Sequence, residues 1–215
     1  MKGAPALMKL ILASSSPARQ KLLTDSGVDF QVLVSDVDED AVLAQAQEKA
    51  FAAGLGEITP AQTAQLLAQA KAQDVAARVE AADALVLGCD SVFEFDGGAY
   101  GKPHTVEKAR QRITAMSGQS GQLHTGHWLI DTATGKEASE LRTAIVHFDR
   151  LSDEEIEAYL ATEEPLWVAG SFTIDGFGAP FIKGIEGEFH TVVGLSLNAL
   201  RSMMHQLGQS ITNFW

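Results

Sequence analysis

Cysteine is almost absent from this chain: Cys89 is the only one among 215 residues. It can close no disulfide within the chain and no Cys-rich zinc site, so a reducing, cytoplasmic setting is expected. Positive charge is also scarce. Sixteen Lys and Arg face 28 Asp and Glu, a formal net charge of −12. Such a surface repels a nucleic-acid backbone and argues against a DNA or RNA binder. It leaves room for a nucleotide enzyme, because a local cluster of Lys and Arg can hold a triphosphate with a divalent cation offsetting the remaining charge. No apolar run reaches the length of a membrane span. The short one within residues 1–13 flows into Ser14-Ser15-Ser16-Pro17, a turn into a helix rather than a cleavage site. The chain shows no internal repeat and no Pro- or Ser-rich linker. One domain is expected over residues 8–215, with residues 1–7 as a flexible extension.

Hydrophobic residues make up 46% and charged residues 20%, a globular balance with enough apolar material for a sizeable core. Leu10–Ala13 reads as a buried strand. Ser16 then caps a helix with Pro17 as its first residue, stopped at Gly27. Phe30–Val34 alternates like a strand, and Glu39 to about Ala53 reads as a helix broken by Gly54 and Gly56. Thr59-Pro60-Ala61-Gln62 is a capping box opening a long Ala/Gln-rich helix toward Val79, expected to be a solvated surface insertion. Ala84–Cys89 is the most apolar short run and is expected to be a central strand ending at Asp90. Val92–Phe95, Asp96-Gly97-Gly98 and Ala99-Tyr100 form a hairpin pattern. A helix over Thr105–Met116, two long strands around Thr134-Gly135, a helix capped at Ser152, a glycine-rich stretch over 170–187 and a last helix from Ser196 complete the chain. The expected fold is α/β, with a mixed, long-stranded twisted sheet and flanking helices.

Four segments could carry chemistry. At Leu12-Ala13-Ser14-Ser15-Ser16-Pro17-Ala18-Arg19 a strand gives way to a helix mouth, where free backbone N–H groups, hydroxyls and Arg19 suit a phosphate. Helix capping alone would need only one of those serines. Ser35-Asp36-Val37-Asp38-Glu39-Asp40 offers carboxylates for a divalent cation or merely a solvated helix start. Gly88-Cys89-Asp90-Ser91 puts an acid after an apolar strand, where a carboxylate needs pairing, a metal or a catalytic purpose. Cys89 reads as a small buried thiol. Gly101-Lys102-Pro103 holds a lysine between two backbone-restricting residues. Two patterns are rejected. His124 and His127 stand three apart on a strand, hence on opposite faces, and make poor co-ligands. Asp36-Val37-Asp38 mimics a haloacid-dehalogenase nucleophile motif but lacks the matching downstream acidic pair.

Taken in order, these segments resemble the Maf family of nucleoside triphosphate pyrophosphatases. The stretches that carry the resemblance are LILASSSPARQKLL (10–23), SDVDED (35–40), EKA (48–50), GCDSV (88–92), GKP (101–103), MSGQ (116–119), LSDEEIEAYLATEEP (151–165), GSFTIDGFG (170–178) and IEGEFHTVVGLSL (185–197). The resemblance implies a fold of the Maf/Ham1, ITPase-like kind, with two lobes around a deep cleft, a divalent cation (Mg²⁺ or Mn²⁺), a homodimer and a cytoplasmic setting. It implies Asp90 as the acid that activates water and Glu39 as its partner at the metal. It likewise implies Ser14, Arg19, Lys49 and Lys102 on the phosphates, with Lys102 serving the reaction; Ser16, at the same helix mouth, is a further candidate for substrate binding. Residues 51–79 exceed the plain family pattern and look like the insertions of actinobacterial relatives.

The expected reaction is attack of water on the α-phosphorus, giving a nucleoside monophosphate and pyrophosphate. The base-reading positions depart from both known patterns. Ala18, Ser91 and Asp175 stand where the subgroup resembling dTTP and UTP pyrophosphatases has Arg, Thr and Gln, and where the subgroup resembling 7-methyl-GTP pyrophosphatases has Trp, Gln and Glu. The acid at Asp175 leans toward the second pattern, because a carboxylate can accept from guanine N–H groups. The competing reading is a nucleotide-binding regulator of cell division or septum formation with little or no turnover.

Overall fold

The structure, a computed structural model, describes residues 8–80 and 83–215. The expected extension over 1–7 lies outside them. The chain divides into two compact units, one of Met1–Asp90, Gly126–Leu141 and Leu195–Trp215, the other of Ser91–Thr125 and Arg142–Gly194. Seven strands form one mixed sheet: β1 (Lys9–Leu12), β2 (Gln31–Val32), β3 (Ala84–Phe95), β4 (Gly98–Tyr100), β5 (Ser120–Asp131), β6 (Glu137–Phe148) and β7 (Ile182–Glu186). The order is β2-β1-β3-β5-β6-β7, with β4 paired to β3. β1 runs parallel to both β2 and β3, whereas the β3–β4 and β6–β7 pairs are antiparallel. The α/β class with flanking helices is therefore as the sequence implies. Among the described residues no helix is long and apolar enough to cross a membrane.

In the first unit, α1 (Pro17–Asp25) starts at the Ser16 cap as expected, and α2 (Glu39–Ala52) starts at Asp38, whose carboxylate accepts from the Ala41 N–H. α3 (Pro60–Arg78) opens on a complete Thr59/Gln62 capping box. Its role corrects the expected solvated insertion. Ala64, Leu67, Ala68, Ala72 and Val75 are buried on one face, and Ala72 and Val75 join Ile11, Ala13, Ala84, Val86 and Ile130 in the core of this unit. The stripe follows the helical period, but it is built mostly of alanine, so the sequence reads as weakly amphipathic. Small side chains are what the packing demands. A Cβ at Gly88 would lie 2.1 Å from the Ala68 carbonyl oxygen, and one at Gly126 would lie 2.4 Å from the Ala64 carbonyl oxygen. The helix backbone thus rests directly on the glycines of β3 and β5.

β3 corrects a second expectation. It does not end before Asp90 but continues for 12 residues through it. What ends is its parallel pairing with β1, whose last register partner is Leu12 opposite Leu87. The chain after Leu12 turns away toward α1, so β3 keeps its strand geometry while losing that neighbour beside Asp90.

The second unit holds α4 (Val106–Met116), α5 (Asp153–Leu160) and α6 (Phe189–Val193). Its core includes Phe93, Phe148 and Phe172, three rings in mutual edge contact at centroid distances of 4.9–5.9 Å. β7 and α6 lie where the sequence suggested only a glycine-rich stretch and its sequel, since their five-residue lengths leave little periodicity to detect. The chain returns to the first unit with α7 (Leu197–Gln206), capped by Ser196.

The Gly88 contact gives a first prediction. Gly88→Ala pushes a methyl into backbone that cannot rotate away, so α3 must lift from β3. Thermal unfolding should reveal a loss of about 1–3 kcal/mol or more. A variant as stable as the parent protein would show that the helix does not rest on this glycine.

Candidate active site

At the N-terminus of α1 the hydroxyl of Ser14 accepts from Arg19 Nη1 at 3.1 Å and from the Ser16 N–H at 3.2 Å. Ser16 caps the helix by accepting from the Arg19 N–H at 3.4 Å. Arg19 itself is buried. A cation with so little water around it is held in one place, at the positive dipole end of α1.

Asp90 carries the strongest electrostatic signal. Its side chain is 13% exposed, and Oδ1 accepts from Lys71 Nζ at 2.6 Å. The same ammonium lies 2.8 Å from Glu39 Oε1, while Lys71 is only 12% exposed. One lysine on α3 therefore joins the carboxylate of β3 to the first residue of α2. Burial raises the Asp90 pKa. Lys71 and then Arg19 pull it down, Glu39 pushes it up, and the net direction is upward from the ordinary carboxylate range. A carboxylate tuned upward while remaining paired has the character of a general base. Next to it, burial pushes the Cys89 thiol up to about 12, which leaves it protonated and inert as a nucleophile.

Each carboxylate gives one oxygen to Lys71. Asp90 Oδ2 and Glu39 Oε2 make no hydrogen bond or ion pair among the described residues. Among those residues no group of three or more His, Cys, Asp or Glu could hold a metal. Two carboxylates still fit Mg²⁺, which keeps several waters and takes its other ligands from substrate phosphates.

The structure thus brings Ser14, Ser16, Arg19, Glu39 and Asp90 into one electrostatic neighbourhood. It does not bring Lys49 there by any ion pair. Lys49 is exposed in the last turn of α2, with no ion pair among the described residues. Lys71 holds the bridging position instead, and the sequence reading missed it. The signal was available. Lys71 lies one turn from Leu67, Ala68 and Val75 on the alanine stripe, where a charge requires a partner.

Ser91, Lys102 and Asp175 belong to the second unit. The Ser91 hydroxyl lies 3.0 Å from that of Thr125, which donates to the Thr191 carbonyl at 2.9 Å. With the Thr125 proton committed to a carbonyl, Ser91 is the donor of the pair. Lys102 is exposed between buried Pro103 and Gly101, whose carbonyl accepts from Arg112. Arg112 also covers the Tyr100 ring at 4.8 Å. Asp175 is exposed on the loop over 173–178. The loop is anchored by Glu164, another residue that the sequence reading passed over. The two rejected histidines have separate partners. His124 meets Glu94 at 3.0 Å and Thr143 at 2.8 Å, whereas His127 accepts from the Ser196 N–H at 2.9 Å and donates to the Glu140 carbonyl at 3.2 Å.

The frame is thus a mixed α/β sheet with an acid on its central strand, a buried arginine at a helix mouth and two carboxylates held by one lysine. The family can be stated outright: a sequence model described as Maf-like protein matches residues 9–207, and the chain belongs to this family. It is 49% identical over 207 residues to the nucleoside triphosphate pyrophosphatase of Streptomyces coelicolor, covering 96% of this chain and 94% of that one. It is 46% identical over 213 residues to the protein of the same name from Leifsonia xyli subsp. xyli, covering 97% of both. A relative of that name from Trichodesmium erythraeum is 42% identical over 212 residues, covering 96% of this chain and 98% of that one.

The ion cluster predicts a titration. In metal-free protein the Asp90 carboxyl carbon, followed by NMR, should titrate above the ordinary value of about 3.9. Lys71→Met removes a charge that favours the ionised form, so the midpoint should move higher still. A downward movement, or none, would mean that the Lys71 ammonium does not act on Asp90.

Proposed function

We infer that this chain is a nucleoside triphosphate pyrophosphatase, hydrolysing the α–β phosphoanhydride to a nucleoside monophosphate and pyrophosphate. The observation that carries the reading is the paired but upward-tuned Asp90, joined through Lys71 to Glu39 and acted on by Arg19. Three relatives bearing that name, each matched over nearly its whole length, support it.

In this reading a water in line with the α-phosphorus passes its proton to Asp90 as its oxygen bonds to phosphorus. The bridging oxygen leaves with its electron pair on pyrophosphate. Arg19, Lys71, Ser14 and Ser16 hold the phosphates and offset the charge that spreads over them. Lys102 serves the leaving pyrophosphate, Lys49 attracts the triphosphate from the surface of α2, and Ser91 and Asp175 read the nucleoside. That residues of both units serve one nucleotide, bound in a deep cleft of a single functional domain, is part of the proposal. Asp90 and Glu39 would hold Mg²⁺ or Mn²⁺, which supplies charge neutralisation at the phosphate oxygens when bound. A homodimer working in the cytoplasm completes the proposal. Asp175, as an acceptor, favours a purine or modified base with N–H groups to offer.

The decisive experiment is a product assay over standard, methylated and oxidised nucleoside triphosphates. Pyrophosphate and monophosphate should appear together, and Asp90→Asn should lower turnover by about 10²–10⁴-fold, the worth of a positioned base. Release of orthophosphate first would refute the reading, and binding without any product would favour the regulatory alternative. Lys71→Ala should cost more activity than Lys49→Ala, since only Lys71 is tied to the acid. The reverse ranking would assign the phosphate role to Lys49.

A further inference from the structure

The loop over 173–178 is built around one carboxylate. Glu164 Oε1 accepts from the hydroxyls of Tyr159 at 2.8 Å and Thr173 at 2.6 Å and from the Gly178 N–H at 3.1 Å. Oε2 accepts from the Phe177 N–H at 3.0 Å. The Thr173 N–H donates to the Tyr159 hydroxyl at 3.3 Å, which ties the other end of the loop to the same hub. The chain is wrapped closely. A Cβ at Gly176 would lie 2.2 Å from Glu164 Oε2, and one at Gly178 would lie 2.7 Å from the Tyr159 hydroxyl. All of these groups belong to the second unit. Between the anchors the loop tip, including Asp175, is exposed.

Every partner of Glu164 is a donor. Burial pushes its pKa up, but the four hydrogen bonds together outweigh burial and leave it below the ordinary range. The carboxylate is therefore ionised wherever the protein is assayed. Two of the donors, the Phe177 and Gly178 amides, cannot reverse their polarity, and they address different oxygens. No neutral side chain of similar size offers two acceptor oxygens in that arrangement. Plain loop packing would need no such charge.

We propose that Glu164 is a positioning residue that fixes the loop over 173–178 and, through it, the base preference exerted by Asp175. The proposal rests on the reading above that Asp175 faces the nucleoside. Glu164 touches no substrate. Its effect is to hold Asp175 at one height and angle, so that only a base with N–H groups in the matching place is rewarded.

Glu164→Gln tests this. Glutamine keeps the shape but has one acceptor oxygen, so one loop amide meets an NH₂ group. KM for the preferred nucleotide should rise about tenfold while kcat changes by less than about threefold. The ratio of kcat/KM between guanine- and uracil-type triphosphates should fall toward one. Amide exchange at Phe177 and Gly178 should accelerate, whereas Tyr159→Phe, which removes a hydroxyl but neither amide contact, should leave the Phe177 amide protected. If Glu164→Gln fails to fold, Glu164→Asp retains two acceptors on a shorter stem and should give the same loss of base preference in weaker form. An equal fall in turnover on every base, with the ratio preserved, overturns the proposal. Asp175→Asn separates the two claims. If it leaves the ratio unchanged while the Glu164 variant shifts it, the loop is positioned as proposed but Asp175 is not its reader.

Discussion

The distance between α3 and β3 is the constraint on which the candidate site depends. It is set by Gly88, where the strand has no side chain and the Ala68 carbonyl occupies the space. Lys71 follows on the same helix and Asp90 on the same strand, so the backbone contact delivers an ammonium to a carboxylate at 2.6 Å. A larger residue at 88 would press on the Ala68 and Ala72 backbone and move Lys71 away from Asp90. A stripe of alanines that looks unremarkable in sequence is thus the requirement for an ion pair.

The pair is neither a simple salt bridge nor a simple buried charge. Lys71 also holds Glu39, and Arg19 acts on Asp90 from α1. Removing one member would leave an uncompensated charge in a poorly hydrated place, which is costly. Keeping all of them leaves Asp90 with a raised pKa and one oxygen that has no partner among the described residues. That combination suits proton transfer better than a fully solvated or fully neutralised carboxylate would.

The second unit solves a different problem with the same means. An exposed loop that must present a side chain in a fixed place has large conformational freedom to lose. Glu164 restrains it by collecting four donors on a single carboxylate, with Gly176 and Gly178 letting the chain pass close to that hub. Anchored ends and an exposed tip are compatible because the Phe177 and Gly178 amides are satisfied by Glu164.

The sequence by itself determined the elements whose signals are local. Ser16 before Pro17, the Thr59/Gln62 and Ser152/Glu155 boxes and Asp96-Gly97 before β4 act within a few residues, and each is found where expected. It also singled out Asp90 and Arg19, since a charge beside an apolar strand and a cation at a helix mouth are both legible without a fold. The resemblance put Lys49 on the phosphates and left Lys71 unnoticed. The sequence made α3 look solvated and offered no reason to notice Glu164. Only the tertiary structure decided these, because burial of an alanine stripe depends on a glycine some 16–20 residues away in the chain. A lysine finds its carboxylate, and a carboxylate its four donors, only once packing has brought separate segments within hydrogen-bonding distance.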